Sequence, residues 1–261
     1  MPSALRERKI AKQSKIKRRQ ILKAGVLIPC CVDQFSPGMA SRMVKLLERC
    51  GVDCHYPEAQ TCCGKALYEA GDPKAAMKLG GNIIDLFKRD DYVVCCGSGC
   101  VAYMKSQFDN LFFNSAYHIE YPQFIAKLYD VSDFLSHVVE YVPPEGRFEH
   151  TVAYVDHGAT LRDYRLREEP RRLLARVPGV QLVELPDPEF SAGEGLVFNN
   201  YFEAVAGEMA RRKLQAAVDA GADVLTSSDP ELVLHLRSYA RKHGFDIRCH
   251  HLVDILYGLK G

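Results

Sequence analysis

Nine cysteines lie between Cys30 and Cys100, and a tenth, Cys249, stands alone far beyond them in this 261-residue chain. Thiolates are the soft ligands that iron–sulfur clusters and structural zinc require, and the reducing pool of a cytosol disfavours disulfides. Cysteines clustered in such a chain therefore read as metal ligands or redox groups. Five of them fall at predicted strand-to-helix turns: Cys30, the adjacent pair Cys62 and Cys63, and Cys96 with Cys100. Cys62 comes 32 residues after Cys30, and Cys96 and Cys100 come 33 and 37 after Cys63. Groups so dispersed meet only if a fold brings several loops to one edge. Zinc is a rival reading, although the usual pair of close C-x-x-C knuckles is absent. A set of small buried residues without metal is another, because free cysteine is often a core residue. Cys31, Cys50, Cys54 and Cys95 read as core or as neighbours of the ligands.

The elements that would position these residues alternate. The apolar run Ala24 to Ile28 reads as a buried strand ending in Pro29-Cys30-Cys31. Met39, Met43, Leu46 and Leu47 then recur at helical spacing between Gly38 and Cys50, with Gly51 as a stop. A strand over Val52 to Tyr56 leads to Cys62-Cys63-Gly64, a helix runs from Asp72 to Lys88, and Tyr92-Val93-Val94 is a strand entering a loop from Cys95 to Cys100.

The second half repeats this plan without the cysteines. Thr151 to Val155 precedes Asp156-His157-Gly158, a helix is predicted over Glu168 to Val177, and Val180 to Leu185 reads as a strand. A long helix follows over Phe202 to Ala220, then a strand over Ala222 to Leu225 entering Ser227-Ser228-Asp229-Pro230. Cys30 to Gly158 and Cys62 to Phe190 are both 128 residues apart, and Cys100 to Leu232 is 132, as an internal duplication requires. The expected architecture is α/β, with two Rossmann-like lobes, parallel sheets and a site between them at the carboxyl ends of the strands. The expected divisions are a basic arm over 1–23, a ligand-bearing lobe over 24–143, a Pro-Pro-Glu-Gly linker from Pro143, and a second lobe over 147–261.

In the run from Pro29-Cys30 through Ser41-Arg42-Met43, Gln60-Thr61-Cys62-Cys63-Gly64 and Gly99-Cys100, the chain resembles the cysteine-rich CCG domain family. That family occurs in heterodisulfide reductase B subunits, lactate-utilisation proteins A and glycolate oxidase iron–sulfur subunits. The resemblance covers roughly residues 24–257 and is nearest to the lactate-utilisation type. It implies one iron–sulfur cluster on Cys30, Cys62, Cys63 and Cys100, a [4Fe-4S] cubane being favoured; Cys96 as a fifth ligand would resemble the noncubane cluster of heterodisulfide reductases. The second repeat departs from the family, placing Gly158, then Phe190-Ser191-Ala192, then Glu231-Leu232 where cysteines are expected. A second cluster is accordingly not expected, and this degenerate half would serve as a lid and partner surface.

The resemblance implies an electron-transfer subunit of a multi-subunit oxidoreductase whose partners are a flavoprotein, an iron–sulfur protein or both. The lactate type implies oxidation of a 2-hydroxy acid by the complex; the heterodisulfide type implies disulfide or thiol reduction at the cluster. The reading from another class is a non-catalytic assembly module or a zinc-binding protein. His157 is a candidate ligand or proton carrier and, equally, a structural histidine; His250 and His251 carry no assignment. A net charge of +1 gives no general pull toward nucleic acid. The basic arm, with Arg6, Arg8, Lys9, Lys12 and others, reads as a solvated extension, its alternative being an acidic partner or peripheral docking on an anionic membrane surface. No apolar run approaches the roughly 20 residues of a transmembrane helix and no secretory signal is evident, so a cytoplasmic protein is expected. Nucleotide binding has no support: Gly193-Glu194-Gly195 lacks the dinucleotide fingerprint, and no phosphate-binding loop motif occurs.

Overall fold

The computed structural model describes residues 22–258, and the basic arm up to residue 21 lies outside the described residues. In the first half, β1 (Leu22–Leu27) leads directly into α1 (Cys30–Phe35) and α2 (Pro37–Arg49), and then β2 (Val52–His55). A short α3 (Lys65–Glu69) and the long α4 (Pro73–Phe87) precede β3 (Tyr92–Cys95). The half continues with α5 (Ser98–Phe112), α6 (Glu120–Ala126), β4 (Leu128–Asp130) and α7 (Val131–His137). The second half runs β5 (His150–Tyr154), a π-helical turn (Thr160–Tyr164), α8 (Glu168–Leu174) and β6 (Val180–Val183). It then runs α9 (Leu196–Tyr201), α10 (Glu203–Asp219), β7 (Val224–Ser227), α11 (Pro230–His243), β8 (Arg248–His251) and α12 (Leu252–Tyr257).

Each half is a four-stranded, fully parallel sheet, ordered β2-β1-β3-β4 and β6-β5-β7-β8. The expected α/β architecture of two Rossmann-like lobes is what the chain adopts. The strand order reverses between β1 and β3 and again between β5 and β7, which opens a crevice at the carboxyl ends of those strands. Local chemistry sets the helix starts. Asp72 caps α4 by accepting from the Ala75 amide at 3.0 Å, and Asp229 caps α11 from Leu232 at the same distance, each ahead of a proline at the first helical position.

Two helices begin earlier than the sequence suggested. Cys30 and Cys100 do not sit in open loops: Cys30 is the first residue of α1, and Cys100 lies in the first turn of α5. Two edge strands, β4 and β8, were not legible, because β4 has three residues and β8 reads Arg-Cys-His-His without an apolar run. The duplication is also offset by one residue from the expected match at the Cys-Cys-Gly position. Gly64 and Gly193 both hold a positive φ, 91° and 82°, with backbone pressed against Ala76 and Ala206 respectively. A side chain at either glycine would collide with that backbone. The structural counterpart of Cys62-Cys63-Gly64 is therefore Ser191-Ala192-Gly193, and the Gly193 amide bonds Ser191 Oγ much as the Gly64 amide bonds Cys62 Sγ.

The lobes share a core. One apolar cluster joins Met39, Met43, Leu46 and Leu47 of α2 to Leu252, Val253, Ile255 and Leu256 of α12, all essentially solvent-free. Arg49 adds two hydrogen bonds to the last carbonyls of α12, 2.7 Å to Leu256 and 2.9 Å to Tyr257. Continuous burial of this kind fixes one lobe on the other and sets their carboxyl edges face to face.

Candidate metal centre

The crevice of the first sheet is where its cysteines gather. Cys30 follows β1, Cys62 and Cys63 follow β2, and Cys100 follows β3, so three crossover connections deliver four thiols to one place. The thiols adjoin in series, Cys30 with Cys62, Cys62 with Cys63, and Cys63 with Cys100, each pair within hydrogen-bonding reach. Cys30 is exposed, Cys62 and Cys100 are half-buried and Cys63 is buried, so the row runs from the surface into the protein. Among the described residues no three His, Cys, Asp or Glu side chains are gathered as a ready-made set for a metal ion. The thiols stand in a row, not around a common centre.

The electrostatics of the row favour negative charge at its middle. The Cys62 thiol is held far below the ordinary value by hydrogen bonds from Cys30 and Cys63, with the Gly64 amide at 3.4 Å and the Lys65 ammonium adding to them against burial. Cys30 is correspondingly pushed up by its bond to Cys62 and by burial, and Cys63 by its bonds to Cys100 and Cys62 and by burial. For Cys100 the bond from Cys63 favours the thiolate, but burial and the nearby Cys95, Cys31 and Glu231 outweigh it. A cation or an electron-poor cluster would relieve what opposes ionisation here, since bound metal deprotonates coordinating thiols. The soft thiolate donors thus fit an iron–sulfur cluster, which would have to draw the row round a common centre.

Cys96 stands apart from this row. It is fully buried within the apolar cluster that contains Val94 and Val131, and burial, then Asp130, push its thiol up. Cys95 is equally buried and turns its sulfur to the Gly97 carbonyl at 3.7 Å. Cys50 accepts from the Val142 amide at 3.5 Å, and Cys54 packs at the edge of the shared core. Cys31 is half-buried, with Asp229, Glu231 and Lys65 as its charged surroundings.

The second lobe closes the crevice through polar contacts. The Ser98 amide donates to the Ser228 carbonyl at 3.1 Å and the Gly99 amide to Asp229 Oδ2 at 2.9 Å, joining the turn before Cys100 to the turn after β7. Lys65, two residues beyond Cys63, is 8% exposed and reaches across to Glu231 at 2.7 Å. Burial works against its charge, yet Glu231, Asp229 and Glu69 hold it protonated. Asp229 is likewise buried, and His157, Lys65 and the Leu232 and Gly99 amides keep it ionised against desolvation. His157 is placed at the turn before Cys100. A Cβ on Gly99 would lie 3.0 Å from its Cε1, while its Nδ1 is 3.1 Å from Thr160 Oγ1 and its Nε2 3.8 Å from Glu194 Oε1.

Lys65, Tyr103, Asp229 and Glu231 were not singled out from sequence. Tyr103 is buried, and burial, then the nearby Cys63, Tyr68 and Cys62, raise its hydroxyl. The Asp-Pro pair at Asp229, matching Asp72-Pro73 as a helix start, was the one local signal available.

The CCG cysteine-rich domain profile matches residues 24–105 and again residues 156–237. Lactate utilization protein A of Halalkalibacterium halodurans is 29% identical over 235 residues, covering 90% of this chain and 96% of its own length. The protein of the same name from Bacillus subtilis is 28% identical over 240 residues, covering 90% of this chain and 99% of its own. Among solved structures, a hypothetical protein from Helicobacter pylori superposes with a TM-score of 0.65 at 11% identity, covering 92% of this chain; the chain spans about half (49%) of that protein.

Proposed function

The chain belongs to the CCG cysteine-rich domain family, and from that premise we propose that it is an iron–sulfur electron-transfer subunit of a lactate-utilisation type oxidoreductase. The observation that carries this reading is the convergence of Cys30, Cys62, Cys63 and Cys100 on the crevice of the first sheet, with no cysteine at the matching positions of the second. Those four residues would hold one cluster, the cubane type being preferred because Cys96 points into the core. Bound there, the cluster would supply one-electron redox chemistry.

The chain's own residues define the rest. Cys30 keeps one end of the row at the surface, which is where an electron partner must approach. Lys65 contributes a fixed positive charge beside the thiolates, stabilising the more negative state of the site. The second lobe covers the turn before Cys100 and shields it from water. We place the protein in a complex with a flavoprotein or a further iron–sulfur protein, oxidising a 2-hydroxy acid. No helix among the described residues is long and apolar enough to cross a membrane.

Anaerobic purification with iron and sulfide analysis and electron paramagnetic resonance tests the proposal. About four irons per chain with a cubane signal is expected. Eight irons would place a cluster in the second lobe as well, and zinc or a colourless metal-free chain that still binds its partners would replace the electron-transfer reading with an assembly role.

A further inference from the structure

Away from the thiols, a cavity of about 610 Å³ opens between the two lobes, floored by α2, α11 and β8. Four guanidiniums line it, those of Arg42, Arg237, Arg241 and Arg248, against only two carboxylates, Asp246 and Asp254. Volume and concavity are those of a small-molecule site.

The arginines are held in place by partners that leave donors free. Arg42 comes from the first lobe, and its Nε is pinned at 2.7 Å by Asp254 of α12, a carboxylate 6% exposed, so this corner exists only when the lobes are docked. Arg237 gives Nε and one terminal nitrogen to the Cys249 carbonyl, at 3.0 and 2.8 Å, leaving its other terminal nitrogen uncommitted. Arg241 has no hydrogen bond or ion pair with the other described residues. His250, on the same wall, has its pKa lowered by burial and then by the positive charges of Arg237, Arg248 and Arg42, against the pull of Asp254. Three guanidiniums from two lobes therefore act on one imidazole. Behind it His251, 1% exposed and also lining the cavity, leaves its Nε2 without a hydrogen bond.

We infer that this interlobe cavity binds a small dianion through its carboxylate or phosphate oxygens, with Arg42, Arg237 and Arg241 as the principal donors. Even with Arg248 paired to Asp223 at 3.6 Å, the lining keeps a net positive charge, and guanidinium forks match planar carboxylate and tetrahedral phosphate alike. The site is coupled to the metal-bearing half by chain geometry. Ser36, which lines the cavity, directly follows α1, whose first residue is Cys30. Bridging Arg42 to Arg237 and Arg241, the dianion would fasten α2 to α11 and so strengthen the docking of the lobes.

Isothermal titration calorimetry on the full chain, at matched ionic strength in chloride buffer, tests this with inorganic phosphate, succinate and acetate. Saturable binding of phosphate identifies a phosphate ligand and saturable binding of succinate a dicarboxylate; either supports the inference, with acetate at least about tenfold weaker. Arg241→Gln, which removes a side chain without a partner, should weaken the bound dianion by about tenfold, whereas Arg211→Gln on the distant α10 should leave it unchanged. Thermal unfolding of both variants, expected to match the wild type without ligand, confirms that they fold. Absence of saturable binding of both dianions at concentrations on the order of 10 mM, or equal loss in the two variants, overturns the inference.

Discussion

The Gly99 amide donates to Asp229 Oδ2 at 2.9 Å, so the residue immediately before Cys100 is hydrogen-bonded to the N-cap of α11 in the opposite lobe. That one carboxylate finishes a helix in the second lobe and fixes a ligand-bearing turn in the first. A Cβ at Gly99 would stand 2.7 Å from Asp229 Oδ2 and 3.0 Å from the His157 ring. Gly99→Ala must therefore displace the second lobe or the turn, and a loss of about 1–3 kcal/mol is expected from overpacking of this kind. Thermal unfolding reads the loss. A variant with wild-type melting temperature and iron content would show that the lobes do not meet here.

Cys62 and Cys63 occupy the middle of the thiol row and share partners on both sides. Cys62→Ala and Cys63→Ala are each expected to bleach the visible absorption and lower the iron content of anaerobically purified protein. Full iron retention in both variants would remove these residues from the ligand set.

Cys96 makes the opposite case. Its sulfur is enclosed in the apolar cluster, so Cys96→Ser should retain iron and its spectral class while burying a hydroxyl without an assured partner, at a cost of about 1–3 kcal/mol of stability. Iron analysis together with urea unfolding separates the two effects. Loss of iron, or conversion of the spectrum, would make Cys96 a ligand and favour a noncubane cluster.

Asp130, paired in register with Cys95, supplies a pH dependence. Burial raises its carboxyl from 3.8 to about 7, against the hydrogen bonds that Ser132 gives to Oδ1, and Oδ2 has no partner. Between those values the native state binds the proton and the unfolded chain releases it, so this group's contribution to stability falls as pH rises from about 4 through 7. Asp130→Asn keeps an acceptor for Ser132 and abolishes the titration. The wild type should lose more stability than the variant between pH 5 and pH 8, by a few kcal/mol at most, read from thermal unfolding at each pH. Parallel pH profiles in the two proteins would refute the assignment.

Much of this was legible before any fold was known. Met39, Met43, Leu46 and Leu47 at helical spacing announced α2, the buried run after Ala24 announced β1, and the Cys-Cys-Gly run marked the turn after β2. These signals are local: a helix face or a buried strand writes its period into consecutive residues. The short edge strands left no such period, and Leu22 and Lys23, counted with the basic arm, open β1 because they pair with Val52 and Asp53. Likewise, only the matching positive φ of Gly64 and Gly193 shows that the duplication aligns Cys62 with Ser191 and not with Phe190.

By itself, the sequence determined the family, the alternation of strands and helices, the doubling of the lobe and the placement of nine of the ten cysteines in the first copy. Which of them meet was decided by tertiary structure. Cys95 and Cys96 are chain neighbours of Cys100, yet β3 ends at Cys95 and Cys96 enters the core, while Cys100 is carried by the first turn of α5 to Cys63. The contacts of Lys65 with Glu231 and of Gly99 with Asp229 span 166 and 130 residues, and those of Arg42 with Asp254 span 212. No local pattern encodes such pairs. They arise because the shared core of α2 and α12 docks two crevices face to face, and buried charges then have each other as partners in place of water.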